Sequence, residues 1–508
     1  MSLDSALLIS SGGLSNISRQ MAVVSNNIAN ASTPDYAREL STQTSLTAGG
    51  VGFGVLSGPV IREIDLQLQS ETFRLNATVA SLNTRQQALQ PLDAAQGIPG
   101  AGSDLGSLLG KLQDAFITLQ AGPSSAAAQT HVVGSAAVLA GKINSLSAAY
   151  GTARQNAQDN IKSGVDTFNT SIATISELTD RIIAAQNERQ GTADLENQRD
   201  VAMHAMSSLV DVAFIRQADG GMLAATGGGV AISLRAPAPQ FSQASAVLAP
   251  QSFYPGGGVP GIMLGKTDVT QQLTGGQIGA SIELRDKTLP VYQGELDEFS
   301  QTLRARFAAQ GLQLFSTPSG AASLIFPPPL QTGYIGYAGT ISVNPAVLAA
   351  PSAVRDGNLL VVGSPAGASA FTPNPPGGPA SFSGLTDRVL SFAFGAQAQV
   401  GVPQPAPAVS GLGPLGNLSA PYSAPQDMGG FATALVATQS ADIGATTTRL
   451  DTETSVQASL KARVTSSSGV STDGELAKMV GLQNAYGANA RIIAASQAMW
   501  TQLLNAVI

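Results

Sequence analysis

Few residues in this chain are equipped for covalent or acid–base chemistry. Its histidines are His131 and His204, and neither stands in a metal-binding spacing such as two His four apart with an intervening Glu. Isolated imidazoles of this kind suit helix surfaces better than ligation or general-base work. There is no cysteine, which removes thiol nucleophiles, thiolate metal sites and disulfides together. Asp194, Glu196 and Asp200 offer carboxylates, but beside Arg199 on one helical stretch they suit solvated or ion-paired structural roles. Gly411, Gly413 and Gly416 spell the dinucleotide-binding string. Pro414 interrupts it, and a Pro-rich run stands where the string needs a strand. Trp500, the lone tryptophan, lies in an apolar repeat and is expected to pack rather than to stack on a ligand. The expectation is a protein that is not an enzyme and holds no metal or cofactor.

What the sequence does repeat is apolar. At the start, Leu3, Ile17 and Val24, with Ser10 as the weak member, form one row, and Leu7, Leu14, Met21 and Ile28 form another. The rows alternate three and four residues apart, the seam of a coiled coil. At the far end Met479, Tyr486, Ile493, Trp500 and Val507 recur every seven residues, with Leu482 and Leu503 on a neighbouring row broken by Asn489 and Ser496. Two such helices could zip together, Leu7, Leu14, Met21 and Ile28 facing Tyr486, Ile493 and Trp500, over about 40 Å at 1.5 Å per residue. Their outer faces carry Ser, Asn, Gln and Ala in place of Lys and Glu; from Leu476 to Ile508 the charges are Lys478 and Arg491. A polar but uncharged outer face suits a helix covered on both sides, as inside a polymer. An ordinary terminal helix pair packed on a globular core would show the same spacing.

With 508 residues the chain exceeds the size at which one core stops growing, so several domains are expected. Charged residues are 12% of the composition, the net charge is -7 and the pI about 4.9, which argues against nucleic acid as a partner. The first residues lack the positive region and unbroken apolar core of a cleavable secretion signal, and no run approaches the ~18 consecutive apolar residues of a membrane span. Taken alone, these features point to the cytoplasm and to no membrane insertion.

Along the chain, the first helix should stop near Asn30, because Asn26, Asn27 and Asn30 are poor helix formers. Pro34 excludes helical geometry at Thr33, and Thr33-Pro34-Asp35-Tyr36 suits a turn. A short strand or ribbon follows over residues 48–61. Leu68, Leu75, Leu82 and Leu89 mark a helix ending at Pro91 or at the turn Gly97-Ile98-Pro99-Gly100. Leu105, Leu108, Leu112, Phe116 and Leu119 mark another. Ile161, Val165, Phe168, Ile172, Ile175 and Ile182 form the cleanest repeat, inside a helix of about residues 135–190. After a helix through Met203 and Leu209, Gly-punctuated apolar runs to Leu273 read as a small β domain. Helical spacing returns at Leu289, Leu296 and Leu303. Residues 316–427, rich in Pro, Gly and Ala, should form strands and irregular loops without helices. Phe431 to Leu460 is helical again, a flexible break is expected at residues 465–469, and Thr472 with Glu475 reads as a capping box opening the last helix.

Ser25-Asn26-Asn27-Ile28-Ala29-Asn30 with Thr33-Pro34-Asp35-Tyr36 resembles the N-terminal signature of bacterial flagellar rod, hook and hook-associated proteins. Glu475-Leu476, Gln483-Asn484-Ala485-Tyr486, Ala488-Asn489-Ala490-Arg491 and Ile492-Ile493 resemble the matching C-terminal signature. The signature turn is thus carried by Asn26, Asn27, Asn30, Thr33, Pro34 and Tyr36. Asp35 stands where Gly is common and Asn484 where Gln is often found. Rod and hook members pass quickly into β-rich middles. The long helices of residues 65–190, the stretch Asp194-Leu195-Glu196-Asn197-Gln198-Arg199-Asp200, the return at Leu273-Thr274-Gly275-Gly276 and Ile341-Ser342-Val343-Asn344-Pro345 resemble instead the hook-associated protein 1 family, at the hook–filament junction.

That resemblance implies a mainly α fold with an inserted β region: an elongated multidomain rod with its terminal helices paired as a coiled coil and the β domain distal. Residues 1–60 and 466–508 would form the terminal domain, 61–200, 280–315 and 428–465 the rod, 201–279 the β domain, and 316–427 strands and loops partly associated with the rod. It also implies a structural adaptor joining hook to filament. Its partners would be the flagellar hook protein, a second junction protein (hook-associated protein 3), copies of itself in a helical ring and a cytoplasmic export chaperone on the C-terminal helix. Type III export without a cleaved signal would then make the location extracellular. A hook or rod protein, or a secreted adhesin with flagellar export ends, are the alternatives. The interface expected for assembly is Leu3, Leu7, Leu14, Ile17, Met21, Val24, Ile28, Met479, Leu482, Tyr486, Ile493, Trp500, Leu503 and Val507.

Overall fold

A computed structural model describes residues 3–48, 51–98, 100–316 and 331–507. Helix α1 (Leu3–Asn30) leads through the Thr33–Tyr36 turn into a hairpin of β1 (Glu39–Ala48) and β2 (Val51–Arg62). The ribbon expected at 48–61 is therefore a two-stranded sheet that starts earlier. Asp35 takes the left-handed conformation, φ 61°, which short polar side chains tolerate where Gly is absent. Helix α2 (Leu66–Gln96) is opened by Asp65, whose Oδ1 accepts from the N–H groups of Gln67 and Leu68. It runs through Pro91 and ends at Gly97, φ 79°, so the turn and not the proline is the stop.

Helix α3 (Leu105–Ala121), α4 (Ala126–Asn187) and α5 (Ala193–Leu209) complete the first half. Ser125 caps α4 through Oγ, nine residues ahead of the expected start. The 62 residues of α4 span about 93 Å at 1.5 Å per residue. Its length and composition alone would suffice to cross a membrane, but its apolar stripe is occupied by two cores. Toward its start, Val132, Leu139, Ile143 and Tyr150 pack with Phe116 of α3, with Phe299 and Phe307 of α7 (Leu289–Ala309) and with Phe431. Toward its end, Ile161, Val165, Phe168, Ile172 and Ile175 pack with Met203 and Met206 of α5 and with the β segment.

That segment consists of β3 (Val212–Arg216), β4 (Met222–Thr226) and β5 (Ala231–Ser233) in one antiparallel sheet, and β6 (Phe241–Ser242), β7 (Met263–Leu264) and β8 (Thr267–Asp268) in another. Helix α6 (Gly276–Glu283) then leads through a π-turn into α7. The β segment packs on the second half of α4 and on α5, the half of the rod that meets the terminal region through Asn197 and Ala37, and so is not the distal element expected. The far end of the rod is built from residues 331–427 around the first half of α4.

Strands β9 (Phe315–Ser316) and β10 (Ser342–Val343) pair there, as do β11 (Gln397–Gln399) with β12 (Val402–Pro403) and β13 (Ser410–Leu412) with β14 (Leu418–Ser419). Contrary to the expectation from composition, the region also holds short helices α8 (Pro345–Ala349), α9 (Ala353–Asp356) and α10 (Gly384–Arg388). Pro345 starts α8 at the one helical position where its missing N–H costs nothing, and Asn344 Oδ1 caps the N–H of Ala346. Pro327-Pro328-Pro329 lies outside the described residues.

Helix α11 (Met428–Ser468) returns antiparallel to α2, with Leu75, Val79 and Leu82 against Leu450 and Leu460. It runs through the break expected at 465–469, and the interruption falls at residues 469–471 instead. Helix α12 (Thr472–Val507) then packs on α1.

Candidate assembly interface

The signature asparagines sit where α1, the hairpin, α5 and α12 meet. Asn27 is fully buried and uses its whole amide. Nδ2 donates to the carbonyl of Glu39 at 2.9 Å and to Glu475 Oε2 at 3.2 Å. Oδ1 accepts from the Glu39 N–H at 2.9 Å and from the Tyr36 hydroxyl at 3.1 Å. On the other side of the same backbone, Asn197 of α5 accepts from the N–H of Ala37 and donates to its carbonyl, both at 3.3 Å. Residues 37–39 are thus held between two amides that mimic strand pairing, one from each end of the rod's base. Asn26 Nδ2 donates to Asp194 Oδ1 at 3.0 Å and to Glu39 Oε2 at 3.3 Å. Asn30 bonds locally, to Asn26 and Thr33, the role of a helix terminator.

The charges around this node are paired. Arg62, its side chain 1% exposed, reaches Glu196 at 2.9 Å and Asp200 at 2.5 Å. Glu196 and Asp200 are therefore ion-paired, with Arg62 and not with their neighbour Arg199, whose Nε and Nη1 find no hydrogen-bond partner, while Asp194 accepts from Asn26. Arg38 joins Glu475 at 2.8 Å and Glu63 at 3.0 Å, and its N–H donates to the Ser468 carbonyl at the end of α11. Burial would raise the Glu475 carboxyl, but hydrogen bonds from Asn27 and Arg38 hold it below its ordinary value. Glu39 is pushed up to about 7 by burial and then by the Asp194 charge.

Glu475 is consequently not the second half of a capping box. The Gly474 N–H is capped by Ser471 Oγ at 3.3 Å, Thr472 is already helical, and the Glu475 side chain is committed to Asn27 and Arg38. Arg38, Glu39 and Arg62 carry none of the apolar pattern and were missed from sequence. Their signal is scarcity, since charged residues are few near either end of the chain.

Helices α1 and α12 run antiparallel in a constant register: Asn27 meets Glu475 and Gly13 meets Asn489, 14 residues apart on both helices. The row of α1 turned furthest inward is Ser10, Ile17 and Val24, all buried, while Leu7, Leu14, Met21 and Ile28 are half-buried. On α12 Glu475 and Ser496 are buried, and Met479, Leu482, Asn489 and Ile493 are half-buried. The polar breaks of the seam face the partner helix because small residues let the backbones approach: a Cβ on Gly13 would stand 3.2 Å from Asn489 Oδ1. Apolar residues are correspondingly left outside. Leu8, Leu476, Val480, Tyr486, Ile492, Met499, Trp500, Leu503 and Leu504 are exposed. The side chains of Leu3 and Val507 lie outside the described residues.

Among the described residues no group of three His, Asp or Glu side chains could hold a metal. His131 is exposed, and His204 Nδ1 stands 3.8 Å from Asp35 Oδ2. Gly411 lies in β13, Gly413 and Gly416 lie in its connection to β14, and none of them opens a helix.

Family descriptions match three stretches of the chain. Residues 7–36 match the flagella basal body rod protein, and residues 462–506 match the C-terminal part of the flagellar basal body rod FlgEFG proteins. Both helices of the seam, and Asn26, Asn27, Tyr36 and Glu475 of the node, thus lie in the stretches similar to flagellar rod proteins. Residues 96–321 match the helical domain of flagellar hook-associated protein FlgK. The solved flagellar hook junction protein FlgK from Burkholderia pseudomallei aligns at 21% identity and a TM-score of 0.41, over 49% of this chain and 45% of that one. The alignment thus spans less than half of that protein. No curated protein matches the sequence.

Proposed function

We propose that this chain is a structural adaptor of the bacterial flagellum that joins hook to filament by helical self-assembly, outside the cell. The observation that carries this reading is the exposed apolar surface of α12. Leu476, Val480, Tyr486, Ile492, Met499, Trp500, Leu503 and Leu504 are exposed on a segment whose charges are Lys478 and Arg491. Such a surface is poorly solvated alone and is stabilised when neighbouring subunits cover it. The hydrogen-bonded node serves a different purpose, fixing the terminal pair to the rod within one chain. Subunits placed head to tail by a rotation that does not close on itself would give the helical arrangement. The proposed partners are the hook protein, a second junction protein (hook-associated protein 3), further copies of the chain, and an export chaperone on α12 before assembly. The role is structural and not enzymatic.

Deleting residues 479–508 removes most of the exposed apolar face and leaves Glu475 in place. The truncated protein should retain its helical circular dichroism but fail to add to hook tips. Truncated protein that still assembles and restores swimming would overturn the assignment.

A further inference from the structure

The few charges on the terminal pair divide into two groups. Glu475 of α12 is ion-paired within the chain, to Lys478 and to Arg38. Four others remain on the two helices: Asp4 and Arg19 on α1, Asp473 and Arg491 on α12. All four are exposed, and none has an ion pair or a hydrogen-bonded side chain among the described residues. The surface around them is otherwise uncharged. A charge that assembly takes out of water is costly unless it meets its opposite, so these four report where another copy would lie.

The register of the pair fixes their heights. Since Asn27 meets Glu475 and Gly13 meets Asn489, Arg491 is level with Ser11 and Asp473 with Ala29. Each is two residues from one of those contacts, about 200° round a helix of 3.6 residues per turn, so both point away from α1. Asp4 precedes Gly13 by nine residues, about two and a half turns, and points away from α12; Arg19 stands about 60° further round on the same exposed side. Taken from the start of α1 towards the rod, the α1 side thus presents acid then base, about 22 Å apart at 1.5 Å per residue. The α12 side presents base then acid, about 27 Å apart.

We propose that copies of the chain stand side by side with the α12 side of one against the α1 side of the next, Arg491 pairing with the neighbour's Asp4 and Asp473 with the neighbour's Arg19. The inference rests on the self-assembly reading above and names the surfaces that meet. The first pair asks for a shift of the neighbour from the level of residue 4 to that of residue 11, the second from 19 to 29. One shift of about 13 Å towards the rod serves both and leaves about 2 Å at each end, within the swing of an arginine side chain. The same shift sets the neighbour's Leu8, 72% exposed, beside Gly487, and Val480, 57% exposed, beside the neighbour's Gly12. A Cβ on either glycine would meet nothing within 4 Å, so both leave room for the larger side chain. Two different faces of one chain meet, as a rotational array requires. Turning the neighbour end for end would set Arg against Arg and Asp against Asp, so the charges also fix its direction.

The test reverses these charges in the full-length chain, expressed in place of the native copy, and measures its incorporation by immunoblot of sheared flagella. Asp473→Lys with Arg491→Glu sets like charges against the neighbour's α1 side, and incorporation should fall by about tenfold or more. Asp4→Lys with Arg19→Glu should do the same from the other side. All four changes in one chain restore the complementarity and should restore incorporation. That recovery separates pairing from the loss of an acid at a helix start and from altered chaperone binding, since both defects persist in the fourfold variant. The four side chains are exposed, so every variant should keep the thermal midpoint of the unsubstituted protein. Unchanged incorporation of the α12 double variant would overturn the contact; pairing of α12 with α12 of an inverted copy, which is indifferent to the swap, gives that result. A fall that the fourfold variant does not mend would overturn it too, while the assembly reading stands. If the unsubstituted chain itself does not enter the flagellum, both fall.

Discussion

Replacing Asn27 by Ala tests whether the signature asparagine binds its own chain. The amide contributes two bonds to the backbone of Glu39, one to Tyr36 and one to Glu475. Glu475 keeps Arg38 at 2.8 Å, and the Tyr36 hydroxyl is only partly buried and can turn to water. The N–H and carbonyl of Glu39 have no such recourse, since Glu39 is itself buried. An unsatisfied buried backbone group costs about 1–3 kcal/mol, so Asn27→Ala should weaken the node by about 3–4 kcal/mol. The chain has several cores, so one global unfolding energy is the wrong readout. Amide hydrogen exchange of residues 36–42 reports the local opening. At 1.36 kcal/mol per factor of ten, protection there should fall by between two and three powers of ten. Asn30→Ala, which removes only bonds near its own position, should change it by less than about tenfold. A loss below tenfold for Asn27→Ala would refute the view that this side chain closes the node, and would return it to helix termination or to a contact between subunits.

Other outcomes follow from the same geometry. Glu39 is raised to about 7 by burial and Asp194; a carboxyl raised on folding stabilises most below its unfolded value near 4.5, and that stability is lost as pH rises through about 7. Exchange protection of residues 36–42, corrected for intrinsic rates, should therefore fall between pH 5 and pH 8, and Glu39→Gln should flatten the fall. Glu295 in α7 is likewise raised to about 7 by burial, although Gln439 donates to it. Glu295→Gln should thus raise the urea midpoint at pH 8.5 and leave it nearly unchanged at pH 5. Gly276 has φ +58°, and a Cβ there would stand 2.4 Å from the Leu209 carbonyl carbon. Gly276→Ala should cost about 3 kcal/mol, seen as a lower thermal midpoint, while Gly444→Ala, in open space within α11, should stabilise by about 0.5–1 kcal/mol.

The long helices were legible because their apolar residues repeat for many turns. Ile161, Val165, Phe168, Ile172 and Ile175 could only be one buried stripe, and all five are buried. The terminal seam was legible as a seam but not in its rotation. Counting large apolar residues favours Leu7, Leu14 and Met21, whereas close approach favours Ser10, Gly13, Asn489 and Ser496, and only geometry decides between them. Glu475 shows a further limit. Its position after Thr472 matches a local cap, but Arg38 and Asn27 reach it from more than 400 residues away in sequence and win. Between residues 331 and 427, Pro and Gly mark breaks without saying what lies between them. The helical turn after Asn344 became visible only with its cap in place.

The clamp on residues 37–39 has a mechanical consequence. The terminal pair is joined covalently to the rod along two paths, residues 31–65 by way of the hairpin and residues 469–471, and two loose paths side by side could twist about each other like the strands of a swivel. The first path is not loose: Asn197 of α5 holds Ala37 near its start, and Arg62 near its end is fixed to Glu196 and Asp200 of the same helix. With both feet of the hairpin gripped by α5, a turning load applied at the terminal helices reaches the rod with little slip at its neck.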